Sequence, residues 1–221
     1  EELPVEFRGW GAVSLAEPFP DPAGVDAALD RGCVGITLPA TALADPAGVE
    51  RLGPLLAQLA ERDAPLFIHP GPVVDPIGAR VPHWWPALTD YVAQMQAAWF
   101  AFLHAGRPTH PRLRVLFAML AGGAPLQLER YAARRGVPAP DPDPLVFYDT
   151  SSYGPQMIGA MAAAVGAAQL VYGSDRPVVD PRAINSDQAW PDPDLRQALL
   201  AANPARLLNH ASNHDPKGAL A

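Results

Sequence analysis

The sequence predicts a parallel α/β protein, a barrel or an open doubly wound sheet, and three observations carry that expectation. Six short runs rich in branched and aromatic residues read as buried strands, each is followed by a segment of helix length, and prolines and glycines punctuate the junctions. The runs span residues 9–15, 33–39, 66–70, 114–120, 145–151 and 170–175. The 27 prolines and 18 glycines are scattered between them and form no low-complexity tract.

Composition bounds what such a fold does. Over 221 residues, 16 Lys and Arg against 23 Asp and Glu leave a net charge of −7, which argues against a nucleic-acid partner. With 49% hydrophobic and 18% charged residues the chain has a globular composition. At this length a folded domain buries about 70% of its unfolded surface. Cys33 stands alone, so neither an internal disulfide nor a thiolate zinc cluster is available, and a reducing, cytoplasmic setting is expected. No stretch approaches ~18 uninterrupted apolar residues, and Glu1, Glu2, Leu3 and Pro4 show no basic leader, so neither a membrane span nor a secretory signal is expected.

The helical segments carry their own signals. The word Asp-Pro-Ala-Gly-Val follows the first strand at Asp21 and the second at Asp45; Asp as cap with Pro in the first turn starts a helix. After the second, Leu52, Leu55, Leu56 and Leu59 form a stripe at helical spacing that packs on the sheet. A longer helix is expected over residues 84–104, with Leu88, Tyr91, Val92, Met95, Trp99 and Phe102 along one side and Gly106 placed to end it. No strand is followed by a phosphate-binding glycine fingerprint; Gly122, Gly123 and Ala124 lack the spacing. Residues 1–208 read as one domain and 209–221 as a frayed polar tail.

In parallel α/β folds the chemistry gathers at the carboxyl ends of the strands. The third run leads into His69, the fourth into Met119, the fifth into Asp149, Thr150, Ser151 and Ser152, and the sixth into Asp175 and Arg176. An imidazole and a carboxylate both suit a divalent ion, although two ligands are too few. The bland reading is that His69 bonds a backbone carbonyl and Asp175 caps a turn.

Five words in order resemble the amidohydrolase superfamily, in the branch that includes aminocarboxymuconate semialdehyde decarboxylase and resorcylate-type decarboxylases. Phe67-Ile68-His69-Pro70-Gly71 is similar to the family's fifth strand, His110-Pro111-Arg112-Leu113-Arg114-Val115-Leu116-Phe117-Ala118 to the approach to its sixth, and Tyr148-Asp149-Thr150-Ser151 to its seventh. Leu170 to Pro177 is similar to the eighth, and Asn203-Pro204-Ala205-Arg206-Leu207-Leu208 to the closing helix. The resemblance implies a (β/α)8 barrel of the metal-dependent hydrolase type, whose first two βα units are missing from this sequence. It implies one divalent metal, zinc ahead of manganese, held by His69 and Asp175, with Asp175 also relaying a proton.

Two departures accompany the resemblance. The family's His-x-His pair occurs nowhere in the chain, and Met119 stands where a His usually ends the sixth strand. Met119 is therefore either packing or a mark of different chemistry. Arg176 is a candidate clamp for a substrate carboxylate. Asp149 and Ser151 are candidates to support the ligands or touch substrate, and Trp84 and Trp85 to roof the pocket. The expected function is decarboxylation or hydrolysis of a small carboxylic acid, aromatic or unsaturated. The alternative is an inactive barrel relic that binds a partner, and two open sheet edges would favour a homodimer.

Overall fold

Six strands pair in chain order and every pair is parallel: β1 (Gly11–Ala12), β2 (Ile36–Pro39), β3 (Leu66–His69), β4 (Val115–Phe117), β5 (Val146–Asp149) and β6 (Leu170–Val171). The computed structural model describes residues 7–15, 22–73, 81–178 and 192–209. Parallel neighbours need long crossovers, and helices occupy them. They are α1 (Pro22–Asp30), α2 (Pro46–Arg51), α3 (Gly53–Glu61), α4 (Trp85–Leu88), α5 (Asp90–Ala101), α6 (Arg107–Thr109), α7 (Leu128–Arg135) and α8 (Pro155–Val165), with α9 (Pro193–Gln197) and α10 (Asn203–Leu207) after β6. This is six consecutive units of a barrel wall, and β1 and β6 are its edges among the described residues.

The two-residue period of the strands sorts their side chains into two layers. Leu66 and Ile68 of β3, Val115 and Phe117 of β4, and Val146 and Tyr148 of β5 belong to the large core under the helices, together with the leucine stripe of Leu52, Leu55, Leu56 and Leu59. The intervening Leu116, Phe147 and Val171 form a second cluster on the other face, with Leu207 and the flanking Trp10, Phe67 and Leu208. His69 and Asp149 follow the same alternation as Phe67 and Phe147, so both belong to the inner face. Register sets their height: Ile68 pairs with Phe117 and Phe117 with Tyr148, so His69 and Asp149 both come one residue above that rung.

The opposite end is closed by α10. Asn203 Nδ2 donates to the carbonyls of Ala167 and Leu170 at 2.8 and 2.7 Å, and Arg114 Nε donates to the Leu207 carbonyl at 2.7 Å. The Arg206 guanidinium lies over the Phe147 ring, 5.4 Å from its centroid.

Local expectations met different fates. Asp45 caps α2 by accepting from the Gly48 N–H at 2.7 Å, whereas Asp21 lies outside the described residues. The strands are shorter than their apolar runs. Cys33 is drawn into the end of α1, its N–H donating to the Ala28 carbonyl, and Tyr172 leaves the sheet to donate to the Leu199 carbonyl. The long helix is interrupted at Thr89 (φ −121°, ψ −73°), and Leu88 is exposed rather than on the packed side. Gly106 does not end it. Its φ is −78°, and the chain runs through a wide turn at Phe102–Gly106 into α6; a Cβ on Gly106 would meet the Phe102 ring at 2.3 Å, so close approach is what requires glycine there. No helix among the described residues is long and apolar enough to cross a membrane.

Candidate active site

The mouth of the sheet is built by the segments that leave β3, β4, β5 and β6. His69, the last residue of β3, is exposed, and its ring meets Phe67 edge-on at 6.0 Å. Its Nδ1 lies 3.1 Å from the Pro70 carbonyl oxygen. A carbonyl only accepts, so that contact places the proton on Nδ1 and leaves the Nε2 lone pair free. The contact with a backbone carbonyl is the one expected of His69 on the bland reading.

The segment after β3 is held from outside. Gln94 on α5 accepts from the Gly71 N–H at 2.7 Å and donates to the Pro72 carbonyl at 3.2 Å. Two residues further along, Gln96 Nε2 donates to the Gly122 carbonyl at 2.8 Å. One helix thus fixes the exits of two strands.

The exit from β4 is a left-handed turn. Met119, Leu120, Ala121, Gly122 and Gly123 have φ of 52, 50, 53, 60 and 76°, a conformation that costs a non-glycine residue about 1–2 kcal/mol. Packing and a buried carboxylate hold it. Asp149 Oδ1 accepts from the Met119 N–H at 3.0 Å and from the Ser151 N–H at 2.9 Å. Asp149 is buried, and burial raises its pKa, opposed by hydrogen bonds from the Ser151 and Met119 backbones and the Ser151 hydroxyl, and then by the charge of His69. Gly173, at the exit of β6, covers this carboxylate so closely that a Cβ would lie 2.9 Å from Asp149 Cγ and 2.3 Å from Ser151 Oγ.

Asp175 is half-buried with φ 54°, and its carboxylate accepts from the Ser152 hydroxyl at 2.5 Å. Ser152 itself has φ 65°. Two neighbouring turns in the left-handed region are thus tied by one short hydrogen bond. Arg176 is exposed, its N–H donating to Ser174 Oγ at 3.4 Å. Trp84 and Trp85 are 47% and 43% exposed and their rings lie 5.7 Å apart, so they bring an accessible aromatic surface to the segment after His69.

A family model described as amidohydrolase matches residues 4–209. The chain belongs to the amidohydrolase family. Solved structures with the same fold include a 2,6-dihydroxybenzoate decarboxylase from Rhizobium, at TM-score 0.67 and 18% identity over 92% of this chain and 71% of that one. A 5-carboxyvanillate decarboxylase from Novosphingobium aromaticivorans, with bound manganese, aligns at TM-score 0.73 and 17% identity over 92% of this chain and 65% of that one. An amidohydrolase II structure aligns at TM-score 0.73 and 18% identity over 90% and 70%. This amidohydrolase thus spans about two thirds of the length of such neighbours. No functionally curated protein matches it.

Among the described residues no group of three or more His, Cys, Asp or Glu side chains converges in a way that could hold a metal ion. His69 and Asp175 have the right donor chemistry for zinc or manganese but fall short of the three protein ligands of a catalytic zinc. Reading strand ends pointed to His69 and Asp149, which close β3 and β5, and to Asp175, which the structure places in the loop beyond β6 because that strand ends at Val171. It missed Gln94, Gln96 and Gly173, whose only signals were two amides on an otherwise apolar helix and a glycine beside a strand end.

Proposed function

We propose that this chain is a decarboxylase or hydrolase acting on a small carboxylic acid, aromatic or unsaturated, at the mouth formed by His69, Asp149 and Asp175. The observation that carries the reading is the imidazole at the end of β3, with its Nε2 lone pair left open by the Nδ1 contact to Pro70, at the same sheet height as the buried carboxylate of Asp149. Family membership and the decarboxylases among the neighbours support the substrate class.

In this reading Asp175 accepts and returns the proton, and the Ser152 hydroxyl orients its carboxylate. Asp149 and Ser151 hold the Met119 turn, so that Met119 presents a thioether, which transfers no proton, beside the substrate. Arg176 pairs with the substrate carboxylate, and Trp84 and Trp85 shield its apolar part from water. A divalent ion bound through His69 and Asp175 would supply Lewis acidity; the described residues furnish too few donors for it, and the roles above are those of the side chains alone. The manganese in one neighbour favours manganese over the zinc expected from sequence.

The test is direct. Incubated with manganese and 2,6-dihydroxybenzoate or 5-carboxyvanillate, the chain is expected to release carbon dioxide as a proton replaces the carboxylate on the ring, and Asp175→Asn to abolish this while preserving the melting transition. Full activity in Asp175→Asn removes the proposal.

The incomplete donor set and Met119 favour a second reading, a non-catalytic barrel that pairs with another copy through its sheet edges. A native mass of a dimer without turnover supports it, and a monomeric mass excludes it.

A further inference from the structure

The turn that leaves β3 contains two hydrogen bonds that share one peptide group. Gln94 Oε1, on α5, accepts from the Gly71 N–H at 2.7 Å, and His69 Nδ1 donates to the Pro70 carbonyl at 3.1 Å. The Gly71 nitrogen and the Pro70 carbonyl belong to the same trans amide. Such an amide is planar, with its N–H and C=O pointing in opposite directions, so whatever fixes the one fixes the other.

The surroundings leave this amide little freedom to turn. The Pro70 ring fixes its own φ, so ψ of Pro70 is the soft angle between His69 and the amide plane. Gly71 is wedged against the exit of β2: a Cβ there would lie 2.3 Å from Thr41 Oγ1 and 3.1 Å from Pro39 Cβ, and Pro39 is the residue that pairs with His69. Gln94 is itself held at both ends, because its Nε2 donates to the Pro72 carbonyl at 3.2 Å. The two bonds also fix which way its amide faces, since the reverse orientation would set donor against donor at Gly71.

A neutral imidazole carries its proton on one nitrogen, and the hydrogen bond made there selects the tautomer. Hydrogen bonds in series polarise one another, so an acceptor on the Gly71 N–H makes the Pro70 carbonyl a better acceptor for His69. We propose that Gln94 is a positioning residue for His69: acting through the Pro70–Gly71 amide, it holds the imidazole in its Nδ1–H form and keeps the Nε2 lone pair available at the mouth. What that lone pair does in turnover rests on the function proposed above; the hydrogen-bond chain does not.

The experiment reads the tautomer directly, by proton–nitrogen NMR correlation of the histidine rings in the isotope-labelled whole chain, without metal or substrate, at about pH 8.5, where a free imidazole is neutral. The His69 signals are those lost in His69→Gln. The wild-type ring is expected in the Nδ1–H form. Gln94→Met keeps the side-chain length and removes both hydrogen bonds; it is expected to lower the ratio of Nδ1–H to Nε2–H roughly three- to tenfold, the effect of one neutral hydrogen bond. Gln94→Ala makes the same removal should Gln94→Met fail to fold. Gln94→Glu keeps an acceptor for the Gly71 N–H, loses the donor to Pro72, and is expected to keep the wild-type ratio. A merely structural role would instead lower the melting temperature of these variants and leave the ring unmoved. The proposal is overturned by a wild-type ring in the Nε2–H form, by an unchanged ratio on removal of the Gln94 amide, or by as large a loss in Gln94→Glu. Carbon dioxide release is measured apart from this: a ratio that shifts as expected in a chain without turnover supports the positioning role and removes only the catalytic reading.

Discussion

The Asp149 carboxylate accepts the backbone N–H of Met119, thirty residues earlier in the chain, at 3.0 Å, and the same oxygen accepts the Ser151 N–H at 2.9 Å. One buried side chain therefore joins the exits of β4 and β5. Asp149→Ala leaves both N–H groups without an acceptor and is expected to cost about 1–3 kcal/mol for each. Asp149→Asn retains a carbonyl oxygen for them and loses the buried charge, so it is expected to cost much less. Urea unfolding of the two variants decides, and equal losses would count against the account.

The left-handed turn leans on α5. A Cβ on Gly122, where φ is already 60°, would lie 2.6 Å from the Val92 carbonyl oxygen. Gly122→Ala is expected to destabilise by about 1–3 kcal/mol and to shift the Met119 amide resonance. Gln96→Ala removes a donor to the Gly122 carbonyl and should cost about 1 kcal/mol with the same amide displaced. An unmoved Met119 amide in both variants would show that the turn holds itself.

His110 gives stability a pH dependence. It is buried, and desolvation followed by the Arg107 charge lowers its pKa below 6.5. The folded state then binds fewer protons than the unfolded state between the lowered pKa and 6.5, so this contribution to stability is present above 6.5 and is lost as pH falls through that window. His110→Phe is expected to flatten the profile there, read from melting temperatures between about pH 5 and 7.5. A variant as steep as the wild type would place the dependence elsewhere.

Leu59 of α3 is fully buried against the sheet. Leu59→Ala is expected to cost about 2–5 kcal/mol by leaving a cavity, without altering the mouth. Chemical denaturation checks the first part and unchanged His69 resonances the second.

Much of this was legible in the amino-acid order. Hydrophobic period separates strand from helix locally, so the six strands, the leucine stripe of α3 and the cap at Asp45 follow from sequence; His69 and Asp149 close β3 and β5 as expected, whereas Asp175 lies in the loop beyond the end of β6 at Val171. Where each strand stops depended on competing partners: Cys33 bonds back to α1 and Tyr172 turns to Leu199, contacts that no local pattern encodes. The run over residues 84–104 read as one helix because its apolar spacing does not reveal the irregular backbone at Thr89 or the close packing of Phe102 on Gly106.

Sequence by itself determined the parallel α/β class and which side chains stand at the strand ends, because both are set by short-range periodicity and by chain direction. Tertiary structure alone decided that Asp149 is the buried anchor of two loops, that Gln94 and Gln96 brace the exits of β3 and β4, and that the buried Tyr148 hydroxyl accepts from Trp99 Nε1. Those facts depend on which segments are brought within hydrogen-bond reach across tens of residues, and that distance is fixed only when the whole sheet is packed.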